Sequence, residues 1–494
     1  MLICRDDASV IDAMRLINQS GKGIVFIVDK NEQYVGVLTD GDIRRGIIQF
    51  NNIPTSVGEL VNRSAVSFPE GTTESEIIQS LKAAGKPYVL MVPLLKDGKI
   101  VRIVELEKTF YAPIANPTLN GNEMLYVYEC VTTGWISSQG RFVRELERQF
   151  SKKYEAAYST TVMNGTAAIH LALEALGIGE GDEVIIPSLT FAACINAVLQ
   201  AGASPVLVDV ERDSWCISPT EIEKNITDKT KAIMPVHLYG QVCDMDAILA
   251  IAKKHQLFVV EDCAEAQGAK YKDKYVGTMG DIGCFSFFGN KIMTTGEGGM
   301  CTTSREDLHQ KMQKMRDHGM SRDHRLYYHD MVGFNYRMTN LQAAIGLAQM
   351  ERVDDFQAQR KRIQNKYNEV LSNVPGLQKQ VTLEGREKVC WLASYLLTNN
   401  VLTRDELILL LKAKGIDTRP FFFPLHMMEI YKKYQRSECP NSEFLSQAGF
   451  NLPTFIGLSD AEVEKVAHMI EQLLAQNALK SPHAPTHVEL LNLS

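Results

Sequence analysis

The chain has 494 residues, with 52 lysines and arginines against 59 aspartates and glutamates, so its formal net charge is −7 at pH 7. This length predicts about two to four domains. The acidic balance, without a basic block, argues against nucleic acid as the main partner, although local basic patches stay open.

No apolar run approaches the roughly 20 residues that a membrane helix needs, so no membrane partner is expected. Met1 is followed by Leu-Ile-Cys-Arg-Asp-Asp, which does not read as a signal peptide. The ten cysteines are scattered and include no C-x-x-C pair, which argues against a zinc site or a disulfide framework. Reduced thiols in the cytoplasm are therefore expected, and no metal.

Residues 1–110 form the first predicted unit. Its pattern predicts a helix over 7–20, with Ser9 as the N-cap and Gly21 as the stop, and then two strands and a further helix at 43–48. The pattern recurs weakly as a helix at 74–84 and strands at 88–95 and 100–104. An internal repeat of this length is typical of a tandem module.

The stretch Val35-Gly36-Val37-Leu38-Thr39-Asp40-Gly41-Asp42-Ile43-Arg44-Arg45 resembles a CBS-domain pair. The resemblance implies a regulatory nucleotide facing Thr39 and Asp42, where a helix N-terminus suits a phosphate. The alternative is that Thr39 only caps the helix, with Asp42 completing a capping box. The second copy has Val-Glu-Leu-Glu-Lys at 104–108 and lacks both polar groups, so it is degenerate. A structural or oligomerising role is the other interpretation of this unit.

Residues 111–125 are rich in proline and asparagine and predict a linker. Repeated strand–helix units follow over 126–354, with nearly continuous apolar strands at 183–187, 205–210, 232–236, 257–262 and 284–288. Such strands predict an α/β domain with a mostly parallel sheet covered by helices on both faces. Residues 355–480, with a strand at 391–398, predict a smaller C-terminal α/β domain, and 481–494 a flexible tail.

Ligands of such sheets bind beyond the carboxyl ends of the strands. Thr166, Phe191, His237, Asp262 and Lys291 each follow a predicted strand, so we expect them to converge on one crevice. The Gly165-Thr166 pair begins a helix and is either an anion site or an ordinary cap. Taken alone, Lys291 is either a surface lysine in a turn or a desolvated lysine that is nucleophilic toward carbonyls.

Pyridoxal 5′-phosphate requires this set of groups. Its phosphate needs a helix N-terminus and hydroxyls such as that of Ser286, and its ring needs an aromatic face. Its aldehyde needs a lysine, and its ring nitrogen a carboxylate that keeps it protonated. A dinucleotide fold would need G-x-G-x-x-G after an early strand, and neither that motif nor a P-loop occurs.

Residues of about 115–475 resemble the DegT/DnrJ/EryC1/StrS family of sugar aminotransferases. The resemblance implies the α/β fold type I of pyridoxal-phosphate enzymes and an obligate homodimer with shared active sites. The motifs that carry it, in chain order, are Thr133-Gly134-Trp135-Ile136-Ser137-Ser138, Asn164-Gly165-Thr166-Ala167-Ala168, Pro187-Ser188-Leu189-Thr190-Phe191, Glu261-Asp262-Cys263-Ala264-Glu265-Ala266, Phe285-Ser286-Phe287-Phe288-Gly289-Asn290-Lys291, Gly333-Phe334-Asn335-Tyr336-Arg337-Met338-Thr339-Asn340 and Thr418-Arg419-Pro420-Phe421-Phe422-Phe423-Pro424-Leu425-His426.

The resemblance also implies roles for single residues. Lys291 attaches the cofactor and then moves the proton, Asp262 pairs with the ring nitrogen, and Phe191 stacks on the ring. The other implied contacts are Gly165, Thr166, Ala167 and Ser286 to the phosphate, Asn335 to the phosphate in the partner subunit's site, Glu265 to cofactor and substrate, and Trp135, Arg419 and His426 toward the nucleotide sugar.

Glu265 departs from the glutamine or histidine that many members carry, and it resembles the members that aminate C4 of GDP-4-keto-6-deoxymannose. L-Glutamate is then the donor and 2-oxoglutarate the product. Three alternatives stay open: a C3 dehydratase, an aminotransferase for a UDP- or dTDP-linked keto sugar or a keto-cyclitol, and a ligand sensor without catalysis. Lys291 argues against the dehydratase, since those relatives carry histidine at this position.

Overall fold

The computed structural model describes residues 2–43, 45, 56–84, 86, 89, 91–106, 110–321, 327–399 and 401–478. Contacts divide the chain into two compact units, Met1–Phe110 and Tyr111–Ser494, and each is described by itself. The predicted tail 481–494 and most of the predicted helix 43–48 lie outside the described residues. None of the described helices is both long and apolar enough to cross a bilayer.

The first unit contains one arrangement twice: a short strand, a helix and an antiparallel hairpin. In each three-stranded sheet the first strand pairs in parallel with the second, and the second pairs antiparallel with the third. The elements are Ile3–Arg5, Val10–Ser20, Ile24–Val28 and Tyr34–Thr39, and then, after a 3₁₀ turn at Val57–Glu59, Phe68–Pro69, Glu74–Ala83, Met91–Lys96 and Lys99–Glu105. Each copy packs an apolar core of its own.

The predicted ends of the first helix are confirmed. The Ser9 side chain accepts a hydrogen bond from the Asp12 backbone N–H at 3.1 Å. Gly21 has a φ of 64°, the left-handed conformation that ends helices and that glycine adopts without steric cost.

A seven-stranded sheet forms the centre of the second unit. Its strands, in spatial order, are Tyr158–Val162, Gly299–Thr303, Ile282–Ser286, Phe258–Asp262, Thr230–Ile233, Glu183–Pro187 and Ser204–Val208. Gly299–Thr303 runs antiparallel to both of its neighbours, and every other neighbouring pair is parallel. The mostly parallel sheet that the apolar runs predict is thus confirmed.

Helices cover this sheet, and two predicted strands are displaced from their apolar runs. The helices are Glu123–Thr133, Arg141–Tyr154, Gly165–Leu176, Ala193–Gln200, Pro219–Lys224, Met245–His255, Glu306–Met315 and Asn340–Met350. The strand predicted at 232–236 ends at Ile233, two residues before Pro235, which has no N–H to donate to a ladder. The strand predicted at 284–288 is Ile282–Ser286, because Phe287 and Phe288 belong to the turn that leads to Lys291.

A second, smaller sheet follows along the chain. Its strands, in spatial order, are Leu377–Lys379, Ala393–Leu397, Gly449–Leu452 and Arg419–Pro420, all antiparallel. Its helices are Val353–Val370, Arg404–Ala413, Pro440–Ala448 and Asp460–Ala478. Short pieces complete the unit: strands at Lys270–Tyr271, Lys274–Tyr275, Met320–Ser321, Tyr328–His329 and Arg386–Glu387, and 3₁₀ turns at Leu238–Gly240, Leu371–Asn373, Leu425–Met427 and Lys432–Tyr434.

Candidate active site

A cavity of about 470 Å³ lies at the carboxyl ends of the central strands of the large sheet. Most of the residues singled out in the sequence line it: Gly165, Thr166, Phe191, Asp262, Glu265, Ser286, Lys291 and Arg419. Its wall also contains aromatic residues that the sequence did not single out, namely Tyr239, Trp391 and Phe422. Open space beyond the ends of parallel strands is where α/β sheets bind their ligands.

Lys291 lies on the turn that follows the strand Ile282–Ser286, and its side chain is only 12% exposed. Its Nζ is 3.8 Å from Glu265 Oε1 and 4.1 Å from the centre of the Trp391 ring. Burial lowers the pKa of Lys291, against the opposing influence of Glu265 and Asp262. A larger share of the amine is therefore uncharged near neutral pH, and an uncharged amine is nucleophilic.

Asp262 ends the strand Phe258–Asp262 and is nearly fully buried. Its Oδ1 accepts a hydrogen bond from the Ala264 N–H at 3.0 Å, and the Cys194 thiol donates to its Oδ2 at 3.0 Å. Burial and the Asp262 charge raise the pKa of Cys194, so the thiol keeps its proton and acts as a donor. A carboxylate has about four acceptor sites, and Asp262 therefore keeps capacity for a ligand.

Glu265 is held by an unusual piece of backbone. Its Oε2 accepts a hydrogen bond from the Tyr239 N–H at 2.9 Å, and Tyr239 has a φ of 50°. The next residue, Gly240, has a φ of 84°, and a Cβ there would collide with the Val389 carbonyl. A non-glycine residue in the left-handed region stores strain, which is common at functional sites. In this conformation the Tyr239 N–H points at the buried Glu265 carboxylate.

Burial raises the pKa of Glu265 to about 7, with Lys291 opposing the shift. The pKa of its partner Lys291 is lowered for the same reason. The pKa values of the two groups therefore lie closer together than those of a free carboxyl and a free amine. Such a pair is suited to proton transfer.

The Glu265→Gln substitution should change how stability depends on pH. The unfolded chain ionises this carboxyl near its ordinary pKa, whereas the folded chain ionises it near pH 7. Between these values the folded state binds more protons, so stability falls as pH rises. Glutamine removes this loss, so relative to the unaltered chain the variant gains stability from pH 5 to pH 8. The gain is on the order of 3 kcal/mol.

Denaturant unfolding of both cofactor-free proteins at the two pH values measures this difference. Glu443→Gln is the control, since Glu443 also faces an ionisable partner but is partly exposed. An identical difference between Glu265→Gln and the unaltered chain at pH 5 and pH 8 would contradict the expectation.

The helix Gly165–Leu176 begins at the cavity, beside the Ser286 side chain. A Cβ at Gly165 would lie 2.8 Å from the Ser286 Cβ, so the two residues are in close contact. The Asn164 side chain caps the helix and accepts the Ala167 N–H at 2.8 Å. The Ala167 N–H is thus bonded within the helix cap and its side chain is buried, and the phosphate contact that the resemblance implies for it stays a prediction. Gly165, Thr166 and Ser286 remain as the groups at this end of the cavity.

The aromatic residues form two parts of the cavity wall. Phe191 is 60% exposed, and its ring lies 5.8 Å from that of Phe422. The Tyr239 ring stacks against Trp391 at 6.0 Å and an angle of 9°. The Trp391 indole N–H donates to the Asn290 carbonyl at 2.8 Å, next to Lys291. The prediction did not include Trp391, and the only signal for it was that tryptophan occurs three times in the chain.

Two predicted residues lie away from the cavity because they are occupied elsewhere. His237, expected in the crevice, is fully buried and its Nε2 is 3.2 Å from Glu261. The Glu261 carboxylate also accepts the backbone N–H groups of Gly277, Met279 and Gly280. His426, expected to face the sugar, has Nδ1 2.6 Å from Ser188 Oγ and Nε2 3.1 Å from Glu443. The convergence of His237 on the cavity is therefore wrong, since His237 does not line it. The sugar contact that the resemblance implies for His426 stays a prediction.

Two further residues are exposed on the single chain. Trp135 is 58% exposed, and Asn335 lies on an exposed segment where its side-chain oxygen accepts a bond from Arg337. Neither lines the cavity. The contacts that the resemblance implies for both residues stay predictions.

In the first unit, Thr39 and Asp42 bond each other. The Thr39 hydroxyl donates to Asp42 Oδ2 at 2.7 Å, and the Asp42 N–H donates to the Thr39 hydroxyl at 3.2 Å. Arg45 donates to the other Asp42 oxygen at 2.6 Å. This geometry is that of the capping box, the alternative to a nucleotide contact.

Comparisons with known proteins give matches for both units of the chain. Residues 1–49 match the CBS domain. The chain is 47% identical over 365 residues to GDP-perosamine synthase of Escherichia coli O157:H7, and 48% over 364 residues to GDP-perosamine synthase of Caulobacter vibrioides. Each match covers 73% of this chain and 98% of the relative.

The PLP-form structure of Spr1654 from Streptococcus pneumoniae superimposes with a TM-score of 0.71 at 27% identity. It covers 74% of this chain and 100% of that protein. Residues 117–471 match a single family throughout, and the chain belongs to it: the DegT/DnrJ/EryC1/StrS aminotransferase family.

Proposed function

We propose that the protein is a pyridoxal 5′-phosphate-dependent aminotransferase that converts GDP-4-keto-6-deoxymannose to GDP-perosamine, with L-glutamate as the amino donor. The observation that carries the proposal is Lys291, a buried lysine with a lowered pKa in a cavity that also contains a buried aspartate and a helix start. The two relatives named GDP-perosamine synthase support the choice of substrate.

The residues of the cavity fit the cofactor. Gly165 and Thr166 at the helix start, together with the Ser286 hydroxyl, would hold its phosphate. Asp262, whose carboxylate keeps acceptor capacity, would hold its ring nitrogen, and Phe191 would cover its ring. Lys291 would bond its aldehyde. When bound, the cofactor supplies an electron sink for the bond that breaks at the donor's α-carbon.

The chain's own residues then provide proton transfer and orientation. Lys291 Nζ, once free of the cofactor, would be the base that takes the proton from the donor's α-carbon and would then be the acid that delivers it to the carbon of the cofactor's former aldehyde group. Glu265 Oε1, 3.8 Å away, is the group that can exchange a proton with it. Arg419 on the cavity wall provides a cation for the anionic substrates.

We propose further that the protein is a homodimer. On the helix Glu123–Thr133, Met124, Leu125, Tyr128 and Val131 are between 61% and 74% exposed, and Trp135 just beyond it is 58% exposed. So large a contiguous apolar face is typical of a protein–protein interface. A second copy would cover it and would bring Trp135 and Asn335 toward the partner's cavity.

The role of the first unit is also a proposal. Thr39 and Asp42 already bond each other, so a nucleotide there would have to replace bonds that are made. This favours an oligomerising or structural role over a regulatory nucleotide. The ten cysteines, none in a disulfide, support a reducing compartment such as the cytoplasm.

A substrate comparison tests the proposed reaction. The purified chain with cofactor and L-glutamate is given GDP-, UDP- or dTDP-linked 4-keto-6-deoxy sugars, and the amino sugar and 2-oxoglutarate are measured by mass spectrometry. We expect kcat/KM for the GDP-linked 4-keto-6-deoxymannose to exceed the others by about 10²-fold or more, since buried polar groups that lose a partner penalise the wrong substrate. Faster amination of a UDP- or dTDP-linked sugar would refute the substrate, and dehydration without amine transfer would refute the reaction.

A further inference from the structure

Arg360, on the helix Val353–Val370, is a buried guanidinium that no ion pair accounts for. It is 4% exposed, and none of the salt bridges found among the described residues includes it. Its Nε is buried and has no hydrogen-bond partner. Burying a charge costs free energy unless the charge is paired or hydrogen-bonded.

The guanidinium instead donates to three backbone carbonyls from three distant parts of the chain. Nη1 donates to the Trp391 carbonyl at 2.6 Å and to the Thr454 carbonyl at 3.2 Å, and Nη2 donates to the Lys291 carbonyl at 3.3 Å. The planar fork of arginine can serve several acceptors in this way, whereas a lysine ammonium is a single point charge. Arg360 therefore joins the segments that contain Lys291 and Trp391.

A second hydrogen bond links the segments that contain Trp391 and Lys291. The Trp391 indole N–H donates to the Asn290 carbonyl, and the indole ring lies over the Lys291 Nζ at 4.1 Å. The ring is thus one of the groups that keep water from the amine. Holding the Trp391 backbone and the Lys291 backbone together keeps the ring over the amine.

From this geometry we infer that Arg360 is a positioning residue: it holds Trp391 over Lys291 and so keeps the reactive amine dry. The inference rests on the proposed role of Lys291 in the second unit. It assigns a function to a side chain that does not line the cavity.

The direction of the effect follows from the groups that face the amine. Glu265 and Asp262 lie near Lys291 and favour its charged form, whereas burial favours the neutral form. Without Arg360, the Trp391 segment can move away and admit water, which restores the charged form. Loss of the arginine's positive charge acts in the same direction. Both changes raise the pKa of Lys291 toward its ordinary value.

The test measures Lys291 itself in the full-length, cofactor-free chain. Acetic anhydride modifies only the neutral amine, so the rate of Lys291 acetylation against pH, followed by peptide mass spectrometry, gives its pKa. In Arg360→Met we expect the midpoint of this pH dependence to rise by about one pH unit. Arg362→Met is the matched control: Arg362 is two residues along the same helix, but it pairs at the surface with Asp460 and the Leu458 carbonyl. It should leave the midpoint unchanged.

Arg360→Lys is a second, more conservative variant, in case Arg360→Met does not fold. It keeps the charge but cannot serve three separated carbonyls, so its midpoint should lie between those of the unaltered chain and Arg360→Met. An unchanged midpoint in either folded Arg360 variant would overturn the inference. If the midpoint rises although the unaltered enzyme aminates no sugar nucleotide, the positioning role stands and the proposed function falls.

Discussion

Replacing Lys291 with alanine should lower the rate of amine transfer by at least about 10³-fold, because the variant loses both a covalent attachment point and an acid–base group. Positioned proton transfer alone contributes on the order of 10²–10⁴. Lys291 is the amine that lines the cavity beside Glu265 and Trp391. The variant should also lose the yellow absorbance of the bound cofactor. Borohydride should no longer fix the cofactor's mass to the chain.

The chain offers a matched control in Lys388. Burial lowers the pKa of Lys388 to about 8, and its Nζ donates to the Gln380 and Val381 carbonyls. It does not line the cavity. Lys388→Ala should therefore leave amine transfer and borohydride labelling intact. Equal losses in both variants, or full turnover in Lys291→Ala, would show that the lysine was assigned wrongly, since a lowered pKa alone does not define a cofactor lysine.

Much of the large sheet could be predicted because parallel strands that are buried on both faces have nearly continuous apolar sequences. The strand Glu183–Pro187 has its predicted bounds, and Phe258–Asp262 ends at its predicted carboxylate. Since the carboxyl ends of these strands lie at one edge, side chains just after them meet in space. The convergence of Asp262, Phe191 and Lys291 on one cavity follows from this topology.

What the sequence did not predict depends on contacts between distant segments. Cys194 reads as a small apolar residue of a helix, and its bond to Asp262, 68 residues away, exists only in the folded sheet. Arg360 reads as one more cation of a charged helix, although the structure buries it. His426 belongs to a motif of the family resemblance, yet Ser188 and Glu443 hold both of its ring nitrogens. Motif membership gives the neighbourhood of a residue, whereas the rotamer and its partners decide what it touches.

The second large effect is expected from Asp262→Asn. Asparagine keeps the shape but loses the charge that would keep the cofactor's ring nitrogen protonated. Breaking a buried ion pair costs about 3–5 kcal/mol, which corresponds to roughly 10²–10³-fold or more in kcat. We expect this loss together with weaker cofactor binding, measured by titrating the cofactor-free chain.

Asp209→Asn separates this electrostatic role from loss of structure. Asp209 is also buried just beyond a strand, where it accepts bonds from the Asn441 N–H and from the backbone and hydroxyl of Ser442. It does not line the cavity, so its substitution should lower stability and leave cofactor affinity unchanged.

A cofactor methylated on its ring nitrogen gives the sharper test, because its positive charge is permanent and needs no carboxylate to keep a proton in place. This analogue should restore part of the activity of Asp262→Asn, and should give the unaltered enzyme no gain. If Asp262→Asn turns over at the normal rate, the carboxylate has no such role. If the analogue restores nothing while the variant still binds it, Asp262 acts by orientation within its bonds to Cys194 and Ala264 rather than by charge.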